Sequence, residues 1–200
     1  MLSRIARVER LGVVDRTARP RSAAPGGAVA RVAALFVAIA SLAATDCKTA
    51  EGCDPGEACV CSGGSDCFLG CTGDGCSQDC HSVGDTCGTV CGNGCSSLCH
   101  DVSTCTSSCG SDCNLTCHSV SSCGAICGDN CDYSCESAST CGVQAGSGST
   151  IRCTSVSTCE ADCTGTCHVA CTNVSTCAVH CLGGGAPISC PDGTLACGPC

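Results

Sequence analysis

Three groups of reactive side chains stand out in a chain of 200 residues that carries 31 cysteines, five histidines and no tryptophan. Cys197 and Cys200 flank Gly198-Pro199, a spacing at which two thiols in one short turn can cycle between dithiol and disulfide. His81, His100 and His118 each directly follow a cysteine, and the last two lie 18 residues apart. An architecture repeating every 18 residues would stack these imidazoles in one column, a donor set suited to zinc or copper. Segments 92–96, 110–114 and 128–132 are rich in Gly, Asn and Asp and offer oxygen ligands of the kind calcium takes. His100, Asp101 and Ser103 have the side chains of a hydrolytic triad, but sequence neighbours on a strand point to opposite faces. A triad needs convergence from separate elements, so no catalytic residue is assigned.

The elements that position these groups come from a repeat. Cys87, Cys105, Cys123, Cys141, Cys159 and Cys177 open successive 18-residue units. Within a unit the cysteines fall as Cys-x3-Cys-x3-Cys-x3-Cys-x5, for example Cys87, Cys91, Cys95, Cys99 and then Cys105, Cys109, Cys113, Cys117. Each unit ends on a pentapeptide of one type, such as His-Asp-Val-Ser-Thr at 100–104 and Thr-Asn-Val-Ser-Thr at 172–176. A fixed period of this length marks a solenoid, whose units bury their inner faces only by stacking. Gly, Ser and Asn throughout disfavour helix. The expected fold is therefore all-β with little other regular structure: a disulfide-stapled, narrow β-solenoid of 18-residue coils, its handedness left open. Val-Ser-Thr is the expected strand and Cys-Gly-x-x-Cys-Gly the expected corner. Every cysteine from Cys87 to Cys181 has an odd number, so extended backbone turns these sulfurs to one side, the interior. The expected boundaries are a leader at 1–44, a cysteine-rich cap at 45–66, the solenoid at 67–181 and a second cap at 182–200.

The fourth unit constrains the pairing. Cys141 and Cys153 keep the outer positions, but Ala145 and Ser149 occupy the inner two. Joint loss of the second and third cysteines leaves no orphan thiol if these two bond to each other. That logic pairs Cys91 with Cys95, Cys109 with Cys113, Cys127 with Cys131 and Cys163 with Cys167. The outer cysteines are then expected to pair within their units: Cys87 with Cys99, Cys105 with Cys117, Cys123 with Cys135, Cys141 with Cys153 and Cys159 with Cys171. Linking Cys99 to Cys105 also survives the logic, but an extended Val-Ser-Thr would hold the two Cα atoms too far apart.

Residues 1–44 hold seven of the nine basic residues and no cysteine. The apolar run from Val32 to Ala40, followed by Ser41-Leu42-Ala43, reads as an export signal, and the run is short for a membrane span. The Arg-rich stretch from Met1 to Ala30 fits a transit-like extension or a true start near Val29. Beyond residue 44 only Lys48 and Arg152 are basic, against sixteen Asp and Glu, a formal charge of −14. Such a chain is a poor partner for nucleic acid. Cys47 follows the apolar run closely enough to carry a lipid anchor, which would leave thirty cysteines for pairing.

Cys197-Gly198-Pro199-Cys200 resembles the thioredoxin active-site tetrapeptide, but no βαβ pattern precedes it, and a terminal clasp is expected. The Gly-Asn-Gly corners resemble calcium-binding nonapeptide repeats, without their second glycine pair. The Cys-Thr texture is similar to beetle antifreeze solenoids, whose Thr-x-Thr ladder is matched only at Thr104-Cys105-Thr106. The expected function is a secreted or surface-displayed structural rod without catalytic activity or bound cofactor, a component of a cell envelope or matrix. The competing class is a metal binder that uses reduced cysteines, as metallothioneins do, or calcium or zinc. Ice binding is the third reading.

Overall fold

A computed structural model describes residues 52–71 and 73–200. The expected leader at 1–44 and the expected lipid site at Cys47 lie outside the described residues. Every regular element among the described residues is a strand: β1 (Gly52–Cys53), β2 (Ala58–Ser62), β3 (Asp66–Cys71), β4 (Ser77–His81), β5 (Thr86–Val90), β6 (Ser96–His100) and β7 (Thr104–Cys109). There follow β8 (Asn114–Cys127), β9 (Asp132–Ala145), β10 (Ser149–Thr154), β11 (Thr158–Cys163), β12 (Cys167–Thr172), β13 (Thr176–Cys181), β14 (Ile188–Ser189) and β15 (Leu195–Cys197). They stack as a β-solenoid of about 7 turns.

Each coil contributes one strand to each of two parallel faces. The first face runs β1, β3, β5, β7, the C-terminal halves of β8 and β9, then β11 and β13. The second runs β2, β4, β6, the N-terminal halves of β8 and β9, then β10 and β12. Register follows the sequence period, with Cys87 over Cys105, Cys105 over Cys123 and Cys123 over Cys141. Stacking starts earlier than the expected boundary at 67. Cys53 pairs in register with Cys71, and Cys61 with Cys80, so the described part of the expected N-terminal cap is itself a coil. Its offsets of 18 and 19 residues, and the 20 between Cys67 and Cys87, hid the register. At the other end β15 pairs antiparallel with β12 and with β14, a small hairpin that covers the last coil.

The interior is only two side chains wide, because cysteines sit at both ends of most strands and turn inward. Thr89 meets Ser97 across the interior at 2.9 Å, and the same eight-residue offset relates Ala125 to Tyr133, Val143 to Ile151 and Ala161 to Val169. Tyr133 is the largest of the buried side chains, and it shares its coil with a small residue, Ala125. Disulfides fill the rest of the cross-section.

Val-Ser-Thr follows a bend rather than forming a straight strand, even where β8 and β9 run through the corner. The residue before it, at Ser82, Asp101, Ser119, Ser137, Ser155 and Asn173, takes a left-handed φ of 53° to 56°. This turns the chain through a corner. Val83, Val102, Val120 and Val156 then point inward at the bend, and the threonine opens the next strand. Asp, Asn and Ser are suited to such a position because a short polar side chain bonds locally.

That corner overturns the expected outer pairing. Cys87 bonds to Cys80 rather than to Cys99, and the links are Cys99–Cys105, Cys117–Cys123, Cys135–Cys141, Cys153–Cys159 and Cys171–Cys177. These Cα pairs are 6.2 to 6.4 Å apart. Six extended residues would span about 20 Å. The left-handed residue removes that separation. At the Gly-rich corners Cys91 bonds to Cys95, Cys109 to Cys113, Cys127 to Cys131 and Cys163 to Cys167, with Cα atoms 6.0 to 6.5 Å apart. Every corner from Cys53 to Cys177 thus holds one bridge except that between Ala145 and Ser149. There the Ser149 hydroxyl, fully buried, accepts a hydrogen bond from the Cys131 amide at 3.1 Å.

Candidate metal centre

On the second face, residues that alternate with the inward cysteines face outward, and the coil register sets them in straight columns. Ser62, His81, His100, His118 and Glu136 form one such column, each over the next. The His81 and His100 rings stack with centroids 5.1 Å apart and planes 10° apart, and those of His100 and His118 with 4.8 Å and 9°. This spacing is the strand-to-strand distance of a sheet. The neighbouring outward column, two residues earlier, holds Val60, Asp79, Leu98, Thr116 and Ser134.

Asp79 reaches across between the columns. Its Oδ1 lies 3.3 Å from His81 Nδ1 and 3.6 Å from His100 Nε2. Asp101, set by its left-handed backbone at the corner, places Oδ2 2.9 Å from His100 Nδ1. His118 has only Ser119 near its Nδ1, at 3.5 Å. Both His81 and His100 are partly exposed. A second mixed group, Glu160, Asp162 and His180, lies on the first face, with His180 Nε2 3.6 Å from Glu160 Oε1. Asp79 carried no sequence signal and Asp101 was noted only beside His100 and Ser103 as a triad-like set, because their places here depend on the adjacent column and on the corner.

The other candidates are placed differently. Cys197 bonds to Cys181 and Cys200 to Cys190, so the terminal tetrapeptide does not close on itself: the first bridge ties the C-terminal hairpin to the solenoid and the second closes the C-terminal segment internally. Ser103 donates its hydroxyl to the Gly84 carbonyl of the preceding coil, away from His100. The oxygens of the Gly-rich corners act as hydrogen-bond acceptors along the stack. Asp74 Oδ1 accepts from Asn93 N at 2.7 Å, Asn93 Oδ1 from Ser111 N at 2.8 Å, Ser111 Oγ from Asp129 N at 3.1 Å, and Asp129 Oδ1 from Ser147 N at 2.7 Å. Each is turned toward a backbone amide, which is not the convergent oxygen cage that calcium takes. On the first face Thr86, Thr104, Ser122, Thr140, Thr158 and Thr176 form one hydroxyl rank. The rank beside it is Phe68, Gly88, Thr106, Gly124, Gly142 and Glu160, so a two-rank threonine ladder does not form. Phe68, Val90 and Ile126 instead edge a shallow apolar trough of about 450 Å³ floored by Gly88 and Gly124.

The class these observations define is a parallel β-solenoid cross-linked at its corners. No protein-family model matches the chain, and neither a curated protein nor a solved structure matches it.

Proposed function

We propose that this protein is an exported, non-catalytic structural rod, displayed outside the membrane as part of a cell envelope or matrix, and held together by oxidation rather than by a bound metal. One observation carries the reading: fifteen disulfides serve an interior only two side chains wide. So thin a core buries too little apolar surface to offset chain entropy unaided, whereas each corner bridge contributes about 2 kcal/mol by restricting the unfolded chain. Bridges at this density suit an oxidising compartment. The described cysteines satisfy one another completely, which favours Cys47 as a tether to lipid, and an acyl-modified mass for the exported chain is the expected finding.

The test uses two treatments. Reduction under native conditions should abolish the β circular-dichroism signal, and a chelator should leave it unchanged with no thiol titratable. Loss of structure on chelation, together with free thiols, would overturn the rod in favour of a metal-thiolate protein.

A further inference from the structure

We infer that Asp79, His81 and His100 bind one divalent transition-metal ion of the zinc or copper(II) class on the second face of the solenoid, with Asp101 positioning His100. The coil register forces the two imidazoles into adjacent rungs of one column, and period-two alternation puts Asp79 on the same face as His81. The fold, not a loop, thus fixes the three donors. In a tetrahedral zinc site with ligands at about 2.0–2.1 Å, neighbouring donor atoms lie about 3.3–3.4 Å apart. Asp79 Oδ1 stands 3.3 Å from His81 Nδ1 and 3.6 Å from His100 Nε2, close to the edges of such a tetrahedron. The three donor atoms lie within 4.8 Å of one another.

A second observation comes from the far side of the His100 ring. With Nδ1 donating to Asp101 at 2.9 Å, the Nε2 atom carries the lone pair and faces Asp79. A carboxylate behind a histidine that turns its other nitrogen to a metal is the usual way of orienting such a ligand. Imidazole nitrogen selects zinc or copper over calcium and magnesium. Each ring must turn about χ2 to aim its lone pair at a shared ion, a movement open to partly exposed side chains. Two ring nitrogens and one carboxylate leave the fourth position to water or to a donor from another molecule. His118, stacked on His100, and Glu136 beyond it continue the column without joining the ligand set.

Isothermal titration of the oxidised, thiol-free protein with zinc chloride, and separately with copper(II), tests the site. We expect one ion per chain, an affinity at least tenfold lower in His100→Ala and in His81→Ala, a tenfold or larger loss in Asp101→Asn, and no change in His180→Ala. Histidine ring NMR of the unmodified protein removes any dependence on how the variants fold: zinc should shift His81 and His100 and leave His180 in place. Absence of saturable binding, equal titration of His100→Ala and the unmodified chain, or shifts confined to His180 would overturn the site. The rod reading is tested by reduction and thiol counting, so either conclusion can fail without the other.

Discussion

Tyr133 is the one aromatic side chain buried in the interior among the described residues, and burial pushes its phenol pKa well above the ordinary value. Its hydroxyl meets no hydrogen-bond partner among the described residues. A phenol held neutral in the folded state favours folding fully below its unfolded pKa, near 10, and that contribution is lost as pH climbs beyond it. Tyr133→Phe is therefore expected to equal or exceed the parent in thermal stability at neutral pH, by up to about 1 kcal/mol, and to flatten the alkaline fall; melting curves from pH 8 to 11 check both. Gly128 is constrained from outside. A Cβ there would lie 2.8 Å from Ser111 Oγ and 3.0 Å from the Gly110 backbone of the preceding coil. Gly128→Ala should cost about 1–3 kcal/mol, read as a lower melting temperature with all bridges intact. At this scale the inward cysteines were legible from their odd numbers alone, and the histidine column from the 18-residue offset. Tyr133's unpartnered hydroxyl was not, because it depends on what lies across the interior at Ala125.

Among the elements, the corners rather than the strands carry the covalent design. The Gly-rich corners were legible because Gly and Asn favour positive φ, seen at Gly94 and Asn130. The other corner was hidden because Ser119 and Ser137 lead into Val-Ser-Ser and Ala-Ser-Thr, which suit a strand as well as a bend. Treating Val-Ser-Thr as straight then removed Cys99–Cys105 from consideration and led to the wrong outer pairs. The corner without a bridge offers a test of the corrected scheme. Ala145 and Ser149 occupy the same places as Cys127 and Cys131 one coil earlier, and both are buried. Ala145→Cys with Ser149→Cys should close a new bridge and add about 2 kcal/mol, measured by oxidative thermal unfolding and by a two-hydrogen mass difference. Either single change should leave one free thiol and bring no gain.

For the whole molecule, period and composition were enough to read a cysteine-filled solenoid. Only the start of the stack was hidden, since one extra residue in each of the corners around Asp74 and Gly84 breaks the 18-residue spacing while leaving the coils stacked. Reductive collapse and indifference to chelators are the expectations that belong to this scale, because the bridges are spread through every coil and the candidate metal group touches only two. Between Cys53 and Cys177 each bridge spans 4 to 7 residues around one corner, and none joins positions stacked a full period apart. Tension applied along the axis is thus resisted by hydrogen-bond ladders and side-chain packing, with no disulfide between stacked positions from Cys53 to Cys177 to add to the backbone's own continuity. A coil peeled from the end would still keep its corners locked, and so would pay out less slack than its residue count allows. Such a stack is expected to yield one rung at a time and to re-seat each rung without reshuffling a bond.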